Sequence, residues 1–209
     1  MHPALTGDCR RPLDVIVAAM AQPGGVDEVL RAVVLVEGTS DAVAVETLAE
    51  RRERDLPADG VVIVPIGGAQ AIGRFLGLYP REVKLAGLCD AAEEPEFRRA
   101  LEQAGFGDGL TREGLEQLGF FTCEPDLEAE LIRALGADDV LRIAETHGDL
   151  GSFRTLQKQP EWRERPVEEQ LRRWMGSGGS RKIRYARYLV EALDLAAAPR
   201  PLDGVLAAV

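Results

Sequence analysis

Four short apolar runs alternate with longer, helix-like stretches, and this alternation leaves few folds open to the chain. The runs occupy residues 32–36, 61–66, 83–89 and 119–123, and the first is an uninterrupted Ala-Val-Val-Leu-Val. A continuous β-branched run of this length is typical of a strand that is covered on both faces, as in a parallel sheet. The intervening stretches are long enough for helical crossovers. The sequence therefore predicts an α/β fold with a mostly parallel, four-stranded sheet.

The stretches outside these runs favour helices. Between the runs they are predicted over residues 41–52, from Gly67-Gly68 through 78, near 96–103 and over 126–135. From residue 138 onward there is no strand signal, and helices are predicted over 140–146, 152–157, 167–175 and 182–193. Residues 176–180 predict a flexible joint, and the tail from residue 198 shows no periodicity.

We expect three regions along the chain. These are an N-terminal helix and turn (1–29), an α/β domain (30–136) and a helical C-terminal extension (137–209).

Charge is spread unevenly over the 209 residues. The formal net charge is −10, yet residues 1–150 carry 14 basic and 28 acidic side chains while residues 151–209 carry 11 and 7. This distribution argues against a broad nucleic-acid coat and directs any nucleic-acid surface to the C-terminal part.

The sequence also argues against secretion and membrane insertion. No apolar run approaches the roughly 20 residues of a membrane helix, and the first residues lack a signal peptide's regions. Cys9, Cys89 and Cys123 include no CxxC pair, so neither a disulfide framework nor a zinc knuckle is expected. Together these features predict a cytoplasmic protein.

Acidic residues follow three of the four predicted strands. Glu37 follows the first, Asp90 the third, and Glu124 and Asp126 the fourth. The carboxyl ends of parallel strands share one edge of a sheet, so these side chains should converge and repel one another unless a cation lies between them. Oxygen ligands without histidine or cysteine select Mg²⁺ or Mn²⁺. Polar loops also begin after strands without any function, so the pattern alone leaves both interpretations open.

Residues 36–41, Val-Glu-Gly-Thr-Ser-Asp, precede a predicted helix, and a later strand ends in Leu-Cys-Asp at 88–90. This combination resembles the Toprim domain, and the closest likeness is to that of the OLD-family (overcoming lysogenization defect) nucleases. Residues 63–68 and 74–76 resemble the middle of the OLD pattern. Residues 126–131 resemble its later acidic helix, and Lys182 with Tyr185-Ala186 resembles its lysine-bearing last helix.

The resemblance implies Mg²⁺- or Mn²⁺-dependent cleavage of DNA phosphodiester bonds by an endonuclease or nickase, in DNA repair or phage defence. It implies catalytic roles for Glu37 and for Lys182, which would neutralise charge developing on the phosphate. The implied metal ligands are Glu37, Asp41, Asp90, Asp126 and Glu128. OLD nucleases carry an ATPase domain, but no GxxxxGK[ST] occurs here, so the expected partners are DNA and an ATPase on a separate chain.

One departure from the family pattern keeps a second function open. The usual Asp-x-Asp is here Asp90-Ala91-Ala92, and Glu93 or Glu94 could substitute for the absent carboxylate. The departure favours an alternative, a non-catalytic Toprim module that binds nucleic acid or a partner ATPase. A phosphatase of small substrates would also place carboxylates at strand ends, but no Asp-x-Asp ends the first strand.

Arginines cluster around the glycine joint, at Arg172, Arg173, Arg181, Arg184 and Arg187. Bare carboxylates repel DNA, so one interpretation is a phosphate-contacting surface beside the metal site. The other is that these cations offset the acidic domain internally. Trp162 likewise either packs the helical part or stacks on bases.

Overall fold

The computed structural model describes residues 30–209, and they contain the predicted sheet. Its strands are β1 (Ala32–Val36), β2 (Val61–Pro65), β3 (Lys84–Asp90) and β4 (Phe120–Cys123). They lie in the order β2-β1-β3-β4, and all three pairs are parallel. The predicted α/β fold class is confirmed.

Ten α-helices surround this sheet in the described part of the chain. They are α1 (Thr39–Arg51), α2 (Ile72–Leu76), α3 (Glu94–Gln103), α4 (Arg112–Gln117), α5 (Leu127–Leu135), α6 (Ala137–Thr146), α7 (Leu150–Gln157), α8 (Val167–Gly176), α9 (Gly179–Ala192) and α10 (Arg200–Ala207). Single 3-10 turns lie at Ala69–Ala71 and Leu195–Ala197. The helix and turn predicted over residues 1–29 lie outside the described residues.

The alternating side chains of β1 supply both halves of the core. Val33 and Leu35 face α2, α3 and α4, with β2 and β3 side chains beside them. Val34 and Val36 face the opposite side, where α1 and the C-terminal helices cover the sheet. Because neither face of β1 meets water, every residue of this strand is apolar and fully buried.

The C-terminal helices pack into the same hydrophobic core as the sheet. Helix α9 contacts α1 along its length, and Arg51 at the end of α1 donates hydrogen bonds to the Val190 and Leu193 carbonyls at 2.8 and 2.6 Å. Lys182 on α9 is thereby placed over the sheet edge where β1 and β3 end. The proposed regions 30–136 and 137–209 thus share one core.

Two predictions about the C-terminal part were wrong in detail. The tail expected to lack periodicity forms α10, in which Leu202, Val205 and Leu206 are buried against β3 and β4. The two prolines led to the wrong prediction because proline usually breaks a helix. Here Pro199 caps the helix and Pro201 lies in its first turn, where the missing N–H costs little. The predicted glycine joint is shorter than expected, because α8 extends through Gly176 and α9 already begins at Gly179.

No helix within residues 30–209 combines the length and apolarity that crossing a membrane requires.

Gly87 in the middle of β3 offers a direct test of this sheet packing. A Cβ at Gly87 would lie 2.6 Å from Phe120 Cδ1 and 2.9 Å from the Leu35 carbonyl oxygen. Because the carbonyl belongs to the ladder and cannot move away, we expect Gly87→Ala to lower the free energy of unfolding by about 1–3 kcal/mol. Urea unfolding measures the effect.

Gly151 in α7 is the matched control, because nothing lies within 4 Å of a Cβ built there. Gly151→Ala should raise stability by about 0.5–1 kcal/mol, since alanine is the better helix former. Equal stability of the two variants would contradict the packing described for β3.

Candidate metal centre: carboxylates at the strand ends

Three carboxylates meet where the central strands end. One oxygen each from Glu37, Asp90 and Glu93 lies within 4.8 Å of the others, and within residues 30–209 no other group of three metal-type ligands is so close. Glu37 directly follows β1 and Asp90 ends β3, and these strands are hydrogen-bonded neighbours. Glu93 lies in the turn after β3, where its N–H donates to the Asp90 carbonyl at 3.0 Å. The sheet topology therefore brings the three together.

Glycines hold the backbone at Glu37. The Glu37 carbonyl accepts hydrogen bonds from the N–H groups of Gly67 and Gly68, at 3.1 and 3.2 Å. Both glycines have positive φ, 77° and 112°, which residues with a side chain adopt only with strain. The helix predicted from Gly67-Gly68 through 78 begins only after these glycines, as a 3-10 turn at Ala69–Ala71 followed by α2. The two glycines instead tie the end of β2 to the end of β1 and fix the backbone from which the Glu37 side chain projects.

Two oxygens of the cluster lack hydrogen-bond partners. Glu37 Oε2 and Glu93 Oε2 are buried atoms with none among the described residues. A buried, unpartnered carboxylate oxygen is costly, and carboxylates in contact repel one another. A bound divalent cation would remove both penalties, so the donor set fits a hard metal ion.

The pKa shifts of the clustered carboxylates also fit a cation site. Burial, and then the neighbouring carboxylates Asp41 and Asp126, raise the pKa of Asp90 to about 8. Burial, followed by Glu93, raises the pKa of Glu37 as well. A cation would restore the ionised form of both groups, because its positive charge opposes these shifts.

Asp41 and Asp126 are close to the cluster but have local hydrogen-bonding roles. Asp41 Oδ2 accepts the Gly38 N–H at 2.8 Å at the start of α1. Asp126 caps α5, accepting the Ala129 N–H at 2.9 Å, and its other oxygen accepts from Arg172 Nε at 2.5 Å. Both carboxylates are thus already engaged in this structure.

Glu128 and Lys182 form an ion pair beside the cluster, with Lys182 Nζ 3.2 Å from Glu128 Oε1. Burial alone would lower the pKa of Lys182, but Glu128, Asp41 and Asp90 outweigh it and raise that pKa. The ammonium is therefore charged, and it faces the carboxylates from α9.

The structure distinguishes the two glutamates that could replace the second aspartate of the family pattern. Glu93 lies in the cluster. Glu94 is 5% exposed and is held by Arg98 and by Arg112, whose Nε lies 2.6 Å from Glu94 Oε2. These guanidinium groups outweigh the effect of burial and lower the pKa of Glu94. Arg98 stands four residues after Glu94, a helical ion-pair spacing that could have assigned Glu94 to structure from the sequence.

Most arginines of the predicted nucleic-acid surface have partners within the protein. Arg172 pairs with Asp126, Arg184 lies 3.3 Å from an oxygen of Asp149, and Arg187 lies 3.5 and 3.7 Å from oxygens of Glu191 and Glu50. Arg181 donates to the Trp174 carbonyl and to the Ser177 hydroxyl, at 2.8 and 3.0 Å. For Arg173 the described residues supply only the Trp162 ring, 5.8 Å away.

Comparison with known proteins gives one family match. Residues 30–88 match the family described as "Overcoming lysogenization defect protein-like, TOPRIM domain". This segment contains β1, the turn at Glu37 and Gly38 (the Glu37 turn), α1, β2, α2 and most of β3. No curated protein sequence matches the chain.

Solved structures with a similar fold include C-terminal regions of OLD proteins. The C-terminal region of the Burkholderia pseudomallei OLD protein superposes with a TM-score of 0.66 at 18% identity, covering 86% of this chain and 96% of that one. The C-terminal region of the Xanthomonas campestris pv. campestris OLD protein gives 0.63 at 24% identity, covering 85% and 93%. At these identities the likeness shows a shared fold, which extends over the sheet and the C-terminal helices.

The raised pKa of Asp90 predicts a pH-dependent stability in the absence of metal. The folded protein holds the Asp90 proton up to about pH 8, whereas the unfolded chain releases it near pH 4. Stability should therefore fall as pH rises between these values. Asp90→Asn should remove much of this decline and, in EDTA at pH 8.5, raise stability by about 1 kcal/mol or more, or roughly 2–4 °C in Tm. If the wild type and Asp90→Asn lost stability equally as pH rises, the raised pKa of Asp90 and the repulsion behind it would be contradicted.

Substitution of the neighbours Glu93 and Glu94 should have opposite effects on the metal response and on metal-free stability. Glu93→Gln should shrink the rise in Tm that Mn²⁺ produces, because it removes a charged ligand. Glu94→Gln should keep that rise but lower metal-free stability by about 1–2 kcal/mol, since two partly exposed arginines lose their carboxylate. Thermal unfolding with EDTA and with a Mn²⁺ series measures both quantities. The assignment fails if Glu94→Gln is the variant that loses the metal response.

Proposed function

We propose, from the OLD-like Toprim domain that this chain carries, that the protein cleaves DNA phosphodiester bonds as a Mg²⁺- or Mn²⁺-dependent endonuclease or nickase. The observation that carries the proposal is the cluster of Glu37, Asp90 and Glu93, with buried carboxylate oxygens that have no hydrogen-bond partner among the described residues. Such a cluster is costly to keep without a cation, and oxygen ligands select hard divalent ions.

The proposed ligands are Glu37, Asp90 and Glu93, with Asp41, Asp126 and Glu128 around them. A metal ion bound there would polarise the scissile phosphate and lower the pKa of a water nucleophile. The protein's own contribution is to hold the carboxylates in position, and the charge of the metal ion would keep them ionised. Backbone donors orient two of them: Leu127 N–H donates to Asp90 Oδ1 at 3.2 Å, and Gly38 N–H to Asp41.

Lys182 is the proposed electrostatic catalyst. Its ammonium is half-buried, paired with Glu128 and under the influence of Asp41 and Asp90. A cation in that position would stabilise negative charge that develops on the phosphate or on the leaving oxygen, and it needs no proton transfer to do so.

The position of Glu93 favours catalysis over the alternative of a non-catalytic module. The absent second aspartate was the sequence feature behind that alternative. Glu93 brings a carboxylate oxygen to Glu37 and Asp90 from three residues beyond Asp90, through a turn closed by the Glu93 N–H. The proposed partners are DNA and an ATPase on a separate chain.

The proposal is tested by incubating the purified protein with supercoiled plasmid in Mg²⁺, in Mn²⁺ and in EDTA. We expect nicked or linear product with either metal and none in EDTA. Glu37→Gln should abolish cleavage, and Lys182→Met should lower the turnover rate by about 10²–10³-fold, the usual effect of removing one electrostatic contact to the transition state.

Glu113→Gln is the control, because Glu113 is an exposed acid of α4 without an ion pair in the described region. It should cleave at the wild-type rate. Wild-type cleavage by Glu37→Gln would exclude this site. DNA binding by the wild type without any metal-dependent cleavage would instead establish the non-catalytic module.

A further inference from the structure

A groove of about 870 Å³ lies between α5 and α8 and borders the carboxylate site, although Glu37, Asp90 and Glu93 themselves do not line it. Three residues of the site line it, Asp126, Glu128 and Lys182. Trp162 and Arg173, which the proposed chemistry does not use, line the same groove. A strand whose phosphodiester lay beside Glu128 and Lys182 could therefore extend along the groove to this tryptophan–arginine pair.

Arg173 differs from the arginines around it. Arg172, Arg184 and Arg187 are paired with carboxylates, and within residues 30–209 Arg173 has no carboxylate within ion-pair distance. Its side chain is exposed, and its guanidinium lies 5.8 Å from the centre of the Trp162 ring. Arg181 also lacks a carboxylate partner there, but it donates hydrogen bonds to the Trp174 carbonyl and the Ser177 hydroxyl. Arg173 has neither an ion pair nor a hydrogen bond among these residues, so its guanidinium can contact a ligand phosphate.

Trp162 is well placed to contact a base. It is half-buried, whereas the only other tryptophan of the chain, Trp174, is 1% exposed and packs in the core. An indole with a guanidinium beside it is the side-chain pair on which unstacked bases bind, because every base offers a π-face and the cation attracts the adjoining phosphate.

The size and charge of the groove favour an unpaired strand over a duplex. Its volume is that of a small-molecule site, which holds a few nucleotides. Exposed Glu168 and Glu169 also line it and would repel the dense phosphates of a duplex. Stacking on Trp162 further requires a base that has left its own helix.

We propose that this groove binds an unpaired nucleotide of a DNA strand beside the bond to be cleaved. Trp162 stacks on the base, and Arg173 contacts a neighbouring phosphate. The inference rests on the proposed DNA-cleaving function and gives it a substrate class: DNA with a single-stranded or melted segment next to the cleavage position.

The test measures binding of a labelled eight-residue oligodeoxythymidylate by fluorescence anisotropy, in EDTA and in Mg²⁺. Trp162→Ala should weaken binding about five- to 150-fold, the range for loss of one base stack, while Trp162→Phe, which keeps an aromatic face, should bind close to wild type. Arg173→Gln should also weaken binding and reduce its dependence on salt. Arg163→Gln is the matched control, because Arg163 is exposed one position from Trp162 and does not line the groove.

Two further ligands separate base from phosphate contacts. An abasic oligomer of equal length keeps the phosphates but should lose the difference between Trp162→Ala and wild type. A blunt duplex of equal length should bind more weakly than the single strand. Intrinsic fluorescence adds a readout without substitution: the single strand should quench it, because only Trp162 is accessible.

Equal affinities of Trp162→Ala, Arg173→Gln and Arg163→Gln in both buffers would overturn the inference. Absence of quenching in both buffers would do the same. If Trp162→Ala fails to fold, Arg173→Gln and the quenching measurement still decide the question. Plasmid cleavage that remains sensitive to Glu37→Gln alongside such results would leave the proposed function standing, so the two failures are distinguishable.

Discussion

Repulsion between carboxylates at the ends of β1 and β3 is the constraint on which the rest of the site depends. Parallel pairing puts both strand ends at one edge, and the order β2-β1-β3-β4 makes the two strands neighbours. Glu37 and Asp90 therefore meet whether or not their charges favour it. A fold that keeps such a pair, and adds Glu93 to it, carries an electrostatic cost that a bound cation would offset.

Several cations pair with the carboxylates around the cluster and so reduce that repulsion. Lys182 approaches Glu128, while Arg172 neutralises Asp126, which also caps α5. Arg98 and Arg112 draw Glu94 away from the cluster and leave Glu93 as its third member. Each cation lowers the local negative charge without occupying the space between the three clustered oxygens.

The C-terminal helices complete the site. Helix α9 carries Lys182 and packs on α1, the helix that follows the Glu37 turn. Helix α8 carries Arg172 and forms one wall of the groove. Since these helices share a hydrophobic core with one face of the sheet, the position of Lys182 over the strand ends follows from burial of apolar residues such as Leu189 and Val190.

Features that depend only on the local pattern of residues could be predicted from the sequence. The β-branched runs gave the strands, and the acids after them gave an edge of the sheet at which carboxylates meet, because both depend on period and position alone. The spacing of Glu94 and Arg98 was the one local signal that separates Glu94 from Glu93, and the second partner of Glu94, Arg112, is distant in sequence. The partners of Arg184 and Arg187 likewise come from other elements. Helix α10 escaped prediction because its prolines, normally helix breakers, lie at its start, where they are tolerated.

Diffraction from crystals grown with Mn²⁺ tests most directly whether the strand-end carboxylates form a divalent-cation site. Anomalous scattering locates manganese without reference to any substrate. We expect an anomalous peak bounded by the carboxylates of Glu37, Asp90 and Glu93, at oxygen distances suited to a hard cation. A map with no peak there at millimolar Mn²⁺, or with its only peak elsewhere on the chain, would contradict the proposed cation site.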